Sequence, residues 1–295
     1  MDAKNTTLSQ RYEQVQQRIA QAARRSRRHP EDIILVAVTK GTDPDGIRGL
    51  LELGHRDFGE NRVQQLSQRA AIVSEWFERL RVLERTGAKP SSAPAGRILA
   101  SGKPTDETSL GGPARWHLIG HLQRNKARKA VEHCRLIHSV DSLRLAEEIQ
   151  TLADRRDMTV DVLVQVNCSG EKSKFGCPVP AALPLVEQIA TMVHVRVRGL
   201  MTMAPYSENP EDARIVFSRC RDLYEEIRTA GIGDGRFNLL SMGMSNDFEI
   251  AIEEGANIVR VGRAIFGDAE TETTGTDGVK TTRKSTAETK EPAQS

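Results

Sequence analysis

Much of what usually announces a function class is missing from this chain of 295 residues. Its four cysteines, Cys134, Cys168, Cys177 and Cys220, form no CxxC pair and no zinc spacing. That excludes a disulfide scaffold and fits reduced thiols in a cytosolic protein. Charge is nearly balanced, 42 Lys and Arg against 40 Asp and Glu, so the electrostatic footprint of a nucleic-acid partner is absent. No apolar run nears the ~20 residues needed to cross a bilayer, and the N-terminus has no hydrophobic signal core. A cytoplasmic location with no membrane partner is expected. GxGxxG, a Walker loop, a Ser-His-Asp order and HExxH are all missing, which removes the common nucleotide and hydrolase signatures. The hydrophobic fraction of 38% is low, and part of the shortfall lies in two stretches. Residues 85–115 are rich in Gly, Pro, Ser and Thr and read as a disordered loop insertion. Residues 268–295 carry no aromatic residue and read as a disordered tail.

What remains is a regular alternation. Leu8, Tyr12, Val15, Ile19 and Ala22 form one apolar helical stripe over residues 8–23. Arg24, Arg25, Arg27 and Arg28 suit its C-terminal end, either as a solvated face or as anion contacts. The run Ile33-Ile34-Leu35-Val36-Ala37-Val38-Thr39-Lys40 is apolar and β-branched, the mark of a parallel strand buried on both faces. Further strands are predicted at 56–61, 116–120, 136–140, 160–166, 197–203, 237–240 and 257–261. Helices are predicted at 44–53, 63–83, 125–133, 143–156, 180–192, 212–229 and 246–254. Eight strands separated by helices fit an α/β fold, a single closed (β/α)8 barrel of the TIM type with an N-terminal extra helix, over residues 1–267.

Lys40 stands at the C-terminal end of the first strand, where barrels place their ligand contacts. Desolvated there, a lysine loses its proton more easily and can form a Schiff base with a carbonyl; the bland alternative is a side chain that snorkels to solvent. The seventh and eighth strands end in Ser241-Met242-Gly243-Met244-Ser245-Asn246-Asp247 and Val261-Gly262-Arg263-Ala264-Ile265-Phe266-Gly267. These two loops most often build a phosphate site in such barrels. Gly243 and Gly262 let backbone N–H groups approach an anion, and Ser241 and Ser245 add hydroxyls; a glycine required by each strand–helix joint is the simpler account. Arg260 shares a face with Ile258 and Gly262 by period two. Buried, it needs a partner: a phosphate, a carboxylate or a ring nitrogen, or else a structural ion pair. His117 and His121 have HxxxH spacing, but along a strand they stand ~13 Å apart, too far for one metal ion. No metal is expected, and His117 reads as a residue packed behind a site.

Together these motifs carry a resemblance. Lys40 after its strand, Gly59-Glu60-Asn61, Trp116 through Gln123 with Asn125-Lys126, and Asn167, Ser169, Glu171, Lys174 and Gly176 form its first half. Arg198-Gly199-Leu200-Met201, Ser241 through Ser245, and Val259 through Gly262 with Ala264-Ile265-Phe266-Gly267 complete it. Over residues 8–267, apart from 85–115, the pattern closely resembles the pyridoxal-phosphate homeostasis protein family, relatives of the N-terminal barrel of alanine racemase. The resemblance implies that Lys40 carries pyridoxal 5'-phosphate as an internal aldimine, and that Ser241, Gly243 and Gly262 contact the phosphate. It implies that Arg260 faces the pyridine nitrogen, and that Asn61, His117 and Met201 lie around the ring. An arginine at that nitrogen disfavours its protonation and weakens the electron sink. Two departures stand out. Arg263 occupies a position where the family usually has Ser or Thr, so a hydroxyl contact to phosphate is lost or replaced by a charge-assisted one. Thr39 replaces the usual serine, a mild change.

Holding the cofactor does not by itself make an enzyme. The racemase-like relatives resemble a barrel joined to a β domain that supplies a catalytic tyrosine. Residues 268–295 contain none, and of Tyr12, Tyr206 and Tyr224 only Tyr206 is predicted near the mouth. The expectation is a monomeric, non-enzymatic carrier that buffers pyridoxal phosphate, with apo enzymes as recipients. The alternatives are a pyridoxal-phosphate racemase or decarboxylase using Tyr206 or His117 as proton donor, and a cofactor-free Schiff-base aldolase.

Overall fold

The computed structural model describes residues 6–86, 113–171, 173–233 and 235–267. Helix α1 (Leu8–Arg25) opens with a capping box, in which Gln10 N–H donates to the Thr7 hydroxyl and Thr7 N–H donates to Gln10 Oε1 at 2.9 Å. Its stripe of Tyr12, Val15, Ile19 and Ala22 is buried as the spacing predicts. Eight parallel strands follow: β1 (Ile34–Val38), β2 (Asp57–Glu60), β3 (Arg115–Leu118), β4 (Cys134–Val140), β5 (Val160–Asn167), β6 (Val195–Met201), β7 (Leu239–Ser241) and β8 (Ile258–Val261). Each pairs with the next in sequence, and β8 pairs back on β1 with Arg260 opposite Val36, which closes the barrel. A two-residue strand, Cys177–Pro178, attaches to the C-terminal end of β5.

Strand alternation divides the apolar residues into two layers. Val36, Leu136, Leu163, Met201 and Ile258 fill the barrel interior. Leu35, Ala37, Phe58, Ile137, Val162, Val259 and Val261 face outward into the larger core. That core is completed by helices α2 (Pro44–Glu52), α3 (Val63–Thr86), α4 (Ala127–His133), α5 (Leu143–Asp154), α6 (Val179–Ala190), α7 (Arg214–Thr229), α8 (Phe248–Glu253) and α9 (Arg263–Phe266). Each large side chain so buried contributes ~1.5–3 kcal/mol. Gly199, at φ 151°, is required where β6 meets β7: a Cβ there would lie 1.7 Å from the Leu239 carbonyl oxygen.

Several expectations need correction. The first strand ends at Val38, two residues short of Lys40, because the chain turns at Thr39–Thr42. The arginines that close α1 divide between the two readings and a third. Arg24 and Arg27 are exposed, whereas Arg25 pairs with Glu253 at 2.8 Å and Arg28 donates to the carbonyls of Ile252 and Ala256. With Arg18 on Glu249 at 2.6 Å, these side chains fasten α1 to α8. Arg85 and Thr86 belong to α3 and Arg115 to β3, which trims the expected 85–115 insertion. Residues 87–112 of that segment and the 268–295 tail lie outside the described residues. All four cysteines are free thiols. No described helix is long and apolar enough to cross a membrane.

Candidate functional site

Lys40 sits in a turn rather than on a strand. Thr39 N–H donates to Gly59 O and Thr42 N–H to Thr39 O, both at 3.0 Å, and Asp43 caps α2 by accepting from Gly46 N–H at 2.7 Å. The turn is clamped from α3. Arg69 donates to the carbonyls of Thr39 and Thr42, on either side of Lys40, and pairs with the Glu60 carboxylate. Glu60 has no solvent exposure and also accepts from the Thr39 hydroxyl. The Lys40 side chain itself is exposed. The desolvated lysine expected from the sequence is therefore not what the fold builds; the device is a fixed turn beneath a free amine.

On the neighbouring rim, the last two strand ends form one cradle. Gly262 N–H and Ala264 N–H both point at Ser245 Oγ, at 3.3 and 3.5 Å. Gly262 abuts β1 so closely that a Cβ would stand 3.1 Å from the Val38 carbonyl oxygen, which brings the cradle against the strand that leads to Lys40. Upstream, Met244 N–H donates to Asp247 Oδ1 at 2.6 Å and holds the Ser245 turn, while burial pushes the Asp247 carboxyl up from its ordinary value.

Arg260 rises from the barrel interior between these elements. Its guanidinium donates to Ser241 Oγ at 2.6 Å and to Thr202 O at 2.8 Å, both neutral acceptors, and it is 3% exposed. Desolvation pushes its pKa down to about 10, with Asp247 acting in the opposite sense. No carboxylate among the described residues pairs with it directly, so the ion-pair alternative is not realised. Beneath it the hydrogen bonds continue. Ser241 Oγ lies 3.0 Å from His138 Nδ1, His138 Nε2 lies 2.9 Å from His117 Nδ1, and His117 Nε2 lies 3.1 Å from Asp57 Oδ1. Arg115 closes the series on Asp57 with a bond of 2.8 Å from Nε. Burial opposes ionisation of Asp57, but the hydrogen bonds from Arg115 and His117 outweigh it and hold the carboxyl well below the usual range.

One cavity of about 1560 Å³ gathers Lys40, Asn61, Ser245, Arg260, Gly262 and Arg263, together with Met203, Tyr206 and Asn246. That exceeds the roughly 300–1,000 Å³ of common small-molecule sites. Four predicted residues do not line it. Met201 is packed in the barrel interior with Val36 and Leu163. Gly243 is backed against Phe248 and Ala251. Ser241 has its hydroxyl taken by Arg260 and His138, which leaves it behind the cavity rather than at an anion. His117 is buried between Asp57 and His138, whereas His121 stacks on Phe175 at 4.3 Å, so the HxxxH pair diverges. Sequence reasoning assigned nothing to Asp57, Arg69 or His138. For His138 a signal existed: period two from Leu136 puts it on the interior face of β4.

Residues 11–270 match the family described as alanine racemase, N-terminal domain. The pyridoxal phosphate homeostasis protein of Aquifex aeolicus is 35% identical over 263 residues, covering 88% of this chain and 97% of that one. The chain belongs to the pyridoxal phosphate homeostasis protein family. The family's member in Escherichia coli (strain K12) is 34% identical over 261 residues, 86% of this chain and 93% of that one. Among solved structures, PipY of Synechococcus elongatus with pyridoxal phosphate bound matches at a TM-score of 0.64 and 31% identity, covering 84% of this chain and 100% of that one. Alanine racemase of Clostridium difficile shares the fold alone, at a TM-score of 0.57 and 13% identity, and the match spans 56% of its length.

Proposed function

We propose that this chain holds pyridoxal 5'-phosphate in the cavity above Arg260 and serves as a cytoplasmic reservoir that yields it to apo enzymes. One observation carries the reading: an exposed amine on a clamped turn, the Ser245 and Gly262 members of a cradle that Ala264 N–H completes, and a buried guanidinium line a single cavity. The groups present suit that ligand. Its phosphate calls for N–H and hydroxyl donors with close backbone approach, which Gly262, Ala264 and Ser245 supply. Its ring nitrogen calls for a donor, and Arg260 is a buried cation whose other partners are neutral. When bound, the cofactor supplies an aldehyde that condenses with an amine and a ring that withdraws electrons.

The chain's own groups then have separate tasks. Arg69 and Glu60 keep the Lys40 turn in register, Ser245 orders the cradle, and Arg263 adds a charge-assisted contact in place of a hydroxyl. Arg260, still charged at neutral pH, donates to the ring nitrogen and keeps it unprotonated, which holds the electron sink weak. A reservoir needs that restraint. The monomeric carrier is tested by mixing loaded protein with an apo enzyme while following recovery of that enzyme's activity and, separately, α-proton exchange of amino acids in deuterated buffer. Transfer without exchange is expected, and sustained exchange would replace the carrier with a racemase-type enzyme. Tyr206 favours that second reading in so far as it lines the cavity, but it is 73% exposed.

A further inference from the structure

Arg260 is a buried cation that no carboxylate among the described residues pairs with directly, Asp247 acting on it only through space, and the barrel interior holds a more remote anion. Asp57 lies at the start of β2, Arg115 at the start of β3, and both stand at the N-terminal rim opposite the cavity. Between Asp57 and Arg260 run two imidazoles and one hydroxyl, each within hydrogen-bond distance of the next. His117, His138 and Ser241 are 3% exposed or less, so water does not compete for these bonds.

The chemistry of the two ends fixes the direction of every hydrogen. Arg115 keeps Asp57 ionised, so His117 Nε2 must carry a hydrogen and donate to the carboxylate, since two facing acceptors would repel. In a neutral ring His117 Nδ1 is then an acceptor, and His138 Nε2 donates to it. His138 Nδ1 in turn accepts the Ser241 hydroxyl hydrogen. Ser241 Oγ is left as a pure acceptor toward Arg260, which can only donate. Each dipole points its negative end at the guanidinium and its positive end at the carboxylate, an arrangement in which the bonds reinforce one another. Burial, with the Arg260 charge acting in the same sense, drives the His138 pKa well below its ordinary value, which keeps that ring neutral.

We infer that Asp57, His117, His138 and Ser241 form a one-way hydrogen-bond relay of positioning residues, which locks the Arg260 guanidinium toward the cavity and links it to its counter-charge at the far rim. The inference rests on the proposed function for its consequence, since the relay then sets how firmly Arg260 holds the cofactor's ring nitrogen. Its geometry does not depend on that reading.

Two measurements test it. Nitrogen-15 correlations of the imidazole rings in the full-length protein without cofactor should show His138 protonated at Nε2 alone and His117 at Nε2 alone. A hydrogen on His138 Nδ1, or a doubly protonated His117 at neutral pH, would overturn the relay. In protein loaded with pyridoxal phosphate, S241A and H138Q should shift the visible band and release the cofactor about tenfold faster, the loss of one hydrogen bond to a charged group. Ser241→Thr, which keeps the hydroxyl, should restore both. Unchanged band and release rate in both S241A and H138Q, in variants that retain the wild-type melting profile, would refute it. If wild-type protein takes up no pyridoxal phosphate, the proposed function fails, while the ring tautomers still decide the relay.

Discussion

Substituting Arg69 by alanine gives the sharpest test of how the Lys40 turn is held. Glu60 has no exposure, its partner Arg69 is 15% exposed at the side chain, and Glu60 Oε2 has no hydrogen-bond partner. R69A would leave that carboxylate buried with the Thr39 hydroxyl as its remaining donor and would strip a donor from the carbonyls of Thr39 and Thr42. Removing one member of a buried pair costs ~3–5 kcal/mol. Partial exposure of Arg69 argues for the lower end, about 3 kcal/mol, which at ~2–4 °C per kcal/mol corresponds to a drop in Tm of ~6–12 °C. Thermal unfolding followed by circular dichroism reads this directly. Adding E60Q to R69A should recover part of the loss, because an amide tolerates burial better than a lone carboxylate. An R69A variant within ~0.5 kcal/mol of wild type, the range of ordinary surface changes, would show that the pair does not hold the turn.

Other perturbations have equally definite outcomes. Burial lowers the His55 pKa from 6.5 to about 4, against the hydrogen bond to the Asp57 carbonyl. The unfolded chain therefore takes up a proton below about pH 6.5 while the folded one waits until about 4. Stability from this group is present above pH 6.5 and is lost as pH falls through that window, on the order of 3 kcal/mol in all; urea titrations of H55Q should show a flatter pH slope there. Gly199→Ala should abolish soluble folded protein on expression, because its Cβ would collide with Leu239 O in the β6–β7 seam. S245A, which removes the hydroxyl shared by Gly262 and Ala264, should weaken retention of pyridoxal phosphate about tenfold in equilibrium dialysis and leave the unfolding free energy within ~1 kcal/mol of wild type.

The barrel was legible in the sequence because its strands announce themselves. Ile34 through Val38 is a run that only a strand buried on both faces explains, and the period from Ile258 to Arg260 gives the inward face of β8. Six of the ten predicted site residues meet in one cavity, since strand ends and their turns are fixed by glycine and cap chemistry. What escaped was contact across the chain. Arg69, on α3, reaches back 30 positions along the chain to Thr39, and no local pattern announces such a reach. Ser241 looked like an anion donor because its loop does, yet its hydroxyl turns inward to His138, which comes from a strand 103 residues earlier. Periodicity assigns a face to a side chain; it does not say which partner waits on that face.

The most direct measurement is borohydride reduction of protein incubated with pyridoxal phosphate, followed by peptide mapping. A single reduced pyridoxyl adduct on Lys40, missing in K40A, is expected. Modification at another lysine, or none while the visible band persists, would contradict a cofactor held above Arg260 by the amine of this turn.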